Sequence, residues 1–431
     1  MEHKKLLISK DLGLDILAIS LFFISFVNVY FVLVFYVFIM FSSFYGVDKC
    51  LKTLVLITVR GLMSDAVAVS TSRFYLVKWI IIFGTSGLIF LFAFLNSDVD
   101  FRKANKVVIA ISVFAVYCGA SAFITSSFPL TAAFKVFSFV VPFIAVILAM
   151  AFVEDVKSII DYMVLLLSFL FAVSFLIIPF SRFRITNGNF QGVFNHVNMF
   201  GVMAAMYVAV LLASDVLKNR KYLRPLIVLS VIVMTYLSAS RTGLFSVLLC
   251  VILYLLLYSK RQKNTVVAFL SILFIAVFVI FVLDNLGYVN LMLLKANDFI
   301  FKGRVSILST RESQLDEYKS VFLSSPVFGR GFMVPYVRGA KNYSLSFSLV
   351  VEPGNIILAL LAFSGIIGLV LFLIALIVII ANGDLKKVYL IFALLLINMG
   401  EMVFFSTNNM ALLIYIVIGY YLFASREQSS E

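Results

Sequence analysis

Windows without a single charged side chain, each as long as the ~20 residues needed to cross hydrocarbon, recur along this chain, Ile356 to Ile380 among them. Of its 431 residues, 63% are hydrophobic and 13% charged, whereas a soluble domain carries roughly 25% charged residues. A water-soluble core of this length would have to coat itself with polar groups that are not there, so lipid is the solvent the sequence expects. The fold class that follows is all-α: a polytopic integral membrane protein of about 12–14 transmembrane helices with one large periplasmic loop.

Apolar runs place candidate spans at Leu12–Val27, Val29–Phe44, Leu54–Val69, Leu76–Leu95, Val107–Ile124, Ala132–Phe152 and Ile159–Phe180. They continue at Val197–Leu212, Pro225–Leu237, Leu244–Tyr258, Val266–Leu283, Ile356–Ile380, Val388–Phe404 and Ala411–Phe423. The first pair also reads as one long tilted helix, and the third, which contains Arg60, as a broken or re-entrant segment. Three parts follow: an N-terminal transmembrane bundle over 1–283, a large loop with an amphipathic helix over 284–353, and C-terminal transmembrane helices over 354–431.

Lys and Arg fix the orientation, because cytoplasmic flanks retain positive charge. With the N-terminus inside and no signal peptide removed, alternate loops carry Lys49 and Lys52, then Arg102, Lys103 and Lys106, then Lys157, then Lys218, Arg220, Lys221 and Arg224, then Lys260, Arg261 and Lys263, then Lys386 and Lys387. The complementary loops are nearly bare apart from Arg73. The expected location is a bacterial inner membrane with both termini cytoplasmic. The net charge of +13 is thereby spread over short loops rather than gathered into a nucleic-acid surface. Cys50, Cys118 and Cys250 form no metal or disulfide pattern, and no cofactor or metal is expected.

Two outward stretches break the charge rule. Ser181–His196 carries Arg182 and Arg184, and Asp284–Pro353 carries Arg304, Arg311, Arg330 and other cations. Outward positive charge suits an anionic substrate such as a diphosphate, which arginine holds bidentately. Gly192–Gly201 sets Asn195, His196 and Asn198 at the outer end of a span, as a simple helix cap by Asn195 or as a helix end facing substrate. In Ser238-Ala239-Ser240-Arg241-Thr242-Gly243, Arg241 separates two spans, either in a tight turn at the headgroups or in a hydrated cavity. Within the long loop, Leu315, Tyr318 and Phe322 recur at helical spacing before Pro326-Val327-Phe328-Gly329-Arg330-Gly331. Glu352 stands at the mouth of the next helix, which opens at Asn355 and carries Gly365-Ile366-Ile367-Gly368, read as a close helix-packing motif.

The order of these motifs resembles the O-antigen ligase and polymerase superfamily, over roughly Arg182 to Gly368. The resemblance implies a glycosyltransferase that takes glycan from an undecaprenyl-diphosphate donor at the periplasmic face. Ligases of this kind carry a histidine directly before the asparagine that opens the post-loop helix, whereas here Glu352-Pro353-Gly354 precedes Asn355. The departure points to the Wzy-type polymerase branch, which joins lipid-linked repeat units into O-antigen, capsule or exopolysaccharide. An O-antigen ligase acting on lipid A core and a transporter or flippase of lipid-linked glycans are the other readings. The expected partners are the lipid-linked glycan and membrane lipid, with room for a chain-length regulator protein and no nucleic acid. On this reading Glu352, His196 and Arg241 are the candidate catalytic residues. Arg182, Arg184, Asn195, Asn198, Arg304, Arg311 and Asn355 are candidates for binding substrate.

Overall fold

The computed structural model describes residues 2–95, 101–180, 184–185, 189–218, 220, 222–258, 312–337, 339, 341–346, 349–351 and 354–425. Backbone that has left water must satisfy its polar groups internally, and the described residues do so almost wholly as helices. These are α1 (Glu2–Ile24), α2 (Val29–Ser42), α3 (Val47–Gly61), α4 (Tyr75–Leu95), α5 (Arg102–Thr125), α6 (Pro129–Phe152) and α7 (Val156–Leu176). A two-stranded ribbon, β1 (Arg184–Ile185) with β2 (Asn189–Phe190), follows. Next come α8 (Val197–Ala213), α9 (Leu223–Leu237), α10 (Arg241–Tyr258), α11 (Glu312–Ser324), α12 (Ile356–Asn382), α13 (Val388–Gly400) and α14 (Ala411–Phe423).

Five of the described helices, α4 to α7 and α12, are long and apolar enough to cross a membrane unaided. Others are shorter: α8, with 17 residues, rises only about 25 Å. Two of the short ones sit deepest. Every residue of α14 is buried, as is α8 from Phe200 to Leu212, and a helix apolar all round has no other stable place. Apolar side chains left uncovered, such as Ile109, Val113 and Val116 on α5 or Val370, Ile374 and Ile377 on α12, form the outer surface that lipid would cover.

Each candidate span except Val266–Leu283, which lies outside the described residues, falls on a helix, with three changes of detail. Asn28 accepts a hydrogen bond from the Tyr30 amide at 3.1 Å and caps α2, so the first pair is two helices rather than one. The third span is displaced. Its helix runs Val47–Gly61 and ends where Arg60 turns into the protein, leaving 62–71 non-helical. The span expected at Val388–Phe404 stops at Gly400, because the Asn398 side chain accepts from the amides of Val403 at 2.9 Å and Phe404 at 2.7 Å and folds the chain back. Residues 402–407 then run as buried coil, with Phe405 stacked on Phe114 and edge-to-face with Phe139 and Phe372.

Several of the basic residues that set the expected orientation, among the described residues, share one end of the bundle; Lys221, Lys260, Arg261 and Lys263 lie outside the described residues. Lys49 and Lys52 both grip Asp15, at 2.8 and 2.6 Å. Asp215 feels Lys218, Lys157 and Arg224 together, and Lys387 feels Asp384, Lys157 and Asp215. Thus the starts of α7 and α9, the end of α8 and the end of α12 meet there. The loops 62–71, 126–128, 189–196, 238–240 and 400–410 meet at the other.

The Gly365-Ile366-Ile367-Gly368 motif is not chiefly a helix-packing surface. At Gly365, φ is +66°, and α12 is broken into two half-helices. The chain after α11 lies across the break. Ile366 and Ile367 amides donate to the carbonyls of Pro326 at 2.9 Å and Val327 at 3.4 Å, while Arg330 and Gly331 amides donate back to Ala362 at 3.2 Å and Phe363 at 3.1 Å. A Cβ on Gly365 would strike the Val327 carbonyl, and one on Gly329 the Phe363 carbonyl, so both positions need glycine. Phe332, wholly buried, then plugs the loop into the bundle 5.2 Å from Phe405. Among the described side chains of α11, Tyr318 and Val321 are buried, and the Tyr318 ring meets Phe363 at 5.8 Å, so this face is turned to α12.

Candidate active site at converging helix ends

Three helices begin around the place where α13 ends. Gly243 near the start of α10 lies directly against Gly201 of α8, a crossing that no side chain at either position would permit. One residue before, Thr242 packs against Gly400 at the end of α13. Arg241, the first residue of α10, therefore stands level with Glu401, the first residue after α13. The turn that delivers it is tight, with Ala239 at φ +54°.

Asn198 in the first turn of α8 donates from Nδ2 to Glu401 Oε1 at 2.7 Å. His196, not Asn195, is the cap of α8: its Nδ1 accepts the Asn198 amide at 3.1 Å. With Nδ1 taken as acceptor, a neutral His196 carries its proton on Nε2 and, being exposed, offers it outward as a donor. Asn355 caps α12 by accepting the amides of Ile357 at 3.0 Å and Leu358 at 3.1 Å, and donates to the Met399 carbonyl at 3.2 Å. One of its two N–H donors thereby positions α12 beside α13.

The N-termini of α8, α10 and α12 thus gather around the end of α13, with Arg241 as the first residue of one of them. Each N-terminus carries roughly half a positive charge, so the assembly favours an anion. Glu401 supplies the acidic side chain, half-buried and held by Asn198. Sequence reading missed it by running a span through it. A signal was present, since Glu401 is the lone charged residue between Val388 and Phe423.

Of the residues singled out from the sequence, the structure brings His196, Asn198, Arg241 and Asn355 into this cluster. Asn195 is exposed beside it, its amide donating to the Leu62 carbonyl at 2.9 Å. Arg184 lies on the β1 strand. Arg182, Arg304, Arg311 and Glu352 lie outside the described residues.

Fold and site together define a polytopic all-helical membrane protein with a polar, anion-favouring cluster at one end of its bundle. Residues 226–373 match the family model Wzy_C, described as O-antigen ligase, and this match supports the O-antigen ligase/polymerase superfamily, a glycosyltransferase-like group of enzymes. The matched segment runs from α9 into α12, past its break, and includes Arg241 and Asn355. No curated protein and no solved structure matches the chain.

Proposed function

We propose that the protein polymerises undecaprenyl-diphosphate-linked oligosaccharide repeat units at the periplasmic face of the bacterial inner membrane, with both termini cytoplasmic. The observation that carries the reading is the convergence of three helix N-termini and Arg241 beside Glu401. In the reaction the growing glycan's anomeric C–O bond to diphosphate breaks and a new C–O bond forms to a hydroxyl of the incoming repeat unit. Negative charge grows on the departing diphosphate, and in this reading the helix ends, Arg241 and His196 stabilise it. The acceptor proton leaves to a base, for which Glu401 is the acidic group within the cluster, and Asn198 fixes its orientation. Arg182, Arg184, Arg304 and Arg311 are proposed to bind the diphosphate, and Glu352 to serve as a further acid/base group.

A transporter would use a broken helix to present free backbone groups to its cargo. At the break in α12 the amides of residues 366–367 and the carbonyls of residues 362–363 are instead taken by the 326–331 segment. That favours a structural latch. The Glu352-Pro353-Gly354 stretch before Asn355, where ligases carry histidine, favours polymerase over ligase.

Deletion of the gene in its own host tests the choice. A polymerase leaves surface glycan of single repeat units, whereas loss of a ligase leaves long lipid-linked polymer with none transferred. The second pattern would reject the proposal.

A further inference from the structure

Beside the helix-end cluster lies a cavity of about 540 Å³ whose walls include Ser64, Asp65, Ser70, Lys78, Asn195 and Asn409. Its size falls within the roughly 300–1,000 Å³ of small-ligand sites, but those are mostly apolar, while hydroxyls, amides and one charge of each sign line much of this one. An isoprenoid tail would find too little apolar surface. A diphosphate would meet the Asp65 carboxylate, and the buried Lys78 ammonium is already donating to the Asn408 carbonyl. The lining fits a neutral molecule dense in hydroxyl groups.

The rim is held without a ligand. Ser64 donates from its amide to Val193 O at 2.8 Å, and Gln191 donates to Ser64 Oγ at 3.0 Å. From beneath, Arg60, 1% exposed, donates to the Ser25 hydroxyl at 2.8 Å, the Ser25 carbonyl at 3.0 Å and the Val69 carbonyl at 2.6 Å. This is a buried cation satisfied by carbonyl and hydroxyl oxygens, and it ties Val69, in the 62–71 segment, to Ser25. Asn408 and Asn409 also line the cavity, and Asn409 Oδ1 has no hydrogen-bond partner in the protein.

We infer that this cavity is a carbohydrate subsite, taking the uncharged sugars of the acceptor repeat unit while the helix-end cluster holds the diphosphate. The inference rests on the polymerase reading for the word acceptor and on the cavity alone for carbohydrate. Two links join the subsites. Asn195 in the cavity wall precedes His196 of the cluster, and Asn408 and Asn409 lie on the same coil as Glu401.

The test uses the full purified chain in detergent and, as probe, the repeat-unit oligosaccharide freed from lipid and diphosphate by mild acid from the producing strain's glycan. Saturation-transfer NMR measures its binding to wild type, Ser70→Trp, Asn409→Leu and Arg241→Ala. Ser70 is exposed on the rim, so its tryptophan fills the mouth without disturbing the core. Expected are binding by wild type and Arg241→Ala, and affinity at least about tenfold weaker in the two cavity variants, with a matching rise in acceptor KM at little cost in kcat. Equal binding by wild type and both cavity variants overturns the subsite even if wild type polymerises. Binding lost only in the cavity variants upholds it even if no polymer forms, an outcome that would reject the polymerase reading alone.

Discussion

Arg241 and Glu401 are the side chains on which the proposed chemistry depends most. Removing one preorganised donor from a developing anion costs about 10²–10³ in rate. Arg241→Ala should lower polymer formation by that order with the protein still folded, and Arg241→Lys should recover only part, because an ammonium lacks the planar fork. A KM-against-kcat split checks this, with the loss expected in kcat. At the other end of the bundle Asp215 gives a purely structural prediction. The hydrogen bond from Lys218 at 2.9 Å holds its carboxyl below the usual range of 3.8, against the opposing effect of burial and helped by the charges of Lys218, Lys157 and Arg224. A depressed folded value means stabilisation present above the usual pKa and lost as pH falls through the depressed one. The pair is half exposed, 51% and 48%, so the effect stays below about 1 kcal/mol. Thermal unfolding of Asp215→Asn should fall short of wild type at pH 7 and converge with it in acid.

Among the elements, the latched break in α12 makes the sharpest structural demand. A side chain at Gly365 meets strain from φ +66° worth roughly 1–3 kcal/mol. The overlap with the Val327 carbonyl adds to it, and rigid backbone cannot swing aside. Gly365→Ala should lower the unfolding temperature in detergent well below that of Gly84→Ala, where no atom lies within 4 Å of an added Cβ. Equal temperatures would mean the break is not held as described. These features explain what could and could not be seen in the sequence. Apolar runs marked the helices, because hydrocarbon demands them at a fixed length. The stop at Gly400 was hidden, since residues 402–405 are as apolar as the helix before them and Asn398 acts through hydrogen bonds that no local pattern reveals. Gly365 was visible as a glycine, but its role depends on carbonyls of Pro326 and Val327, forty residues earlier by rough count. The carbohydrate cavity draws on segments near residues 61–78, 195 and 408–409, and no single stretch announces it.

At the scale of the whole molecule, helix ends alternate between a face rich in Lys and Arg and a face carrying the cluster and the cavity. Cys50, Cys118 and Cys250 are all buried, so an impermeant maleimide should leave wild type nearly unlabelled. In sealed vesicles of known orientation, Ser70→Cys should react from the periplasmic side and Lys218→Cys from the cytoplasmic side. Reaction of both from one side would break the alternation. The central claim is that the converging helix ends carry out glycosyl transfer with diphosphate as leaving group. Its most direct test is release of undecaprenyl diphosphate from lipid-linked repeat units in liposomes holding wild type, Arg241→Ala or Glu401→Gln. The account predicts release in step with a ladder of longer glycans for wild type, and both suppressed about a hundredfold or more in either variant; release by the variants at the wild-type rate would contradict it.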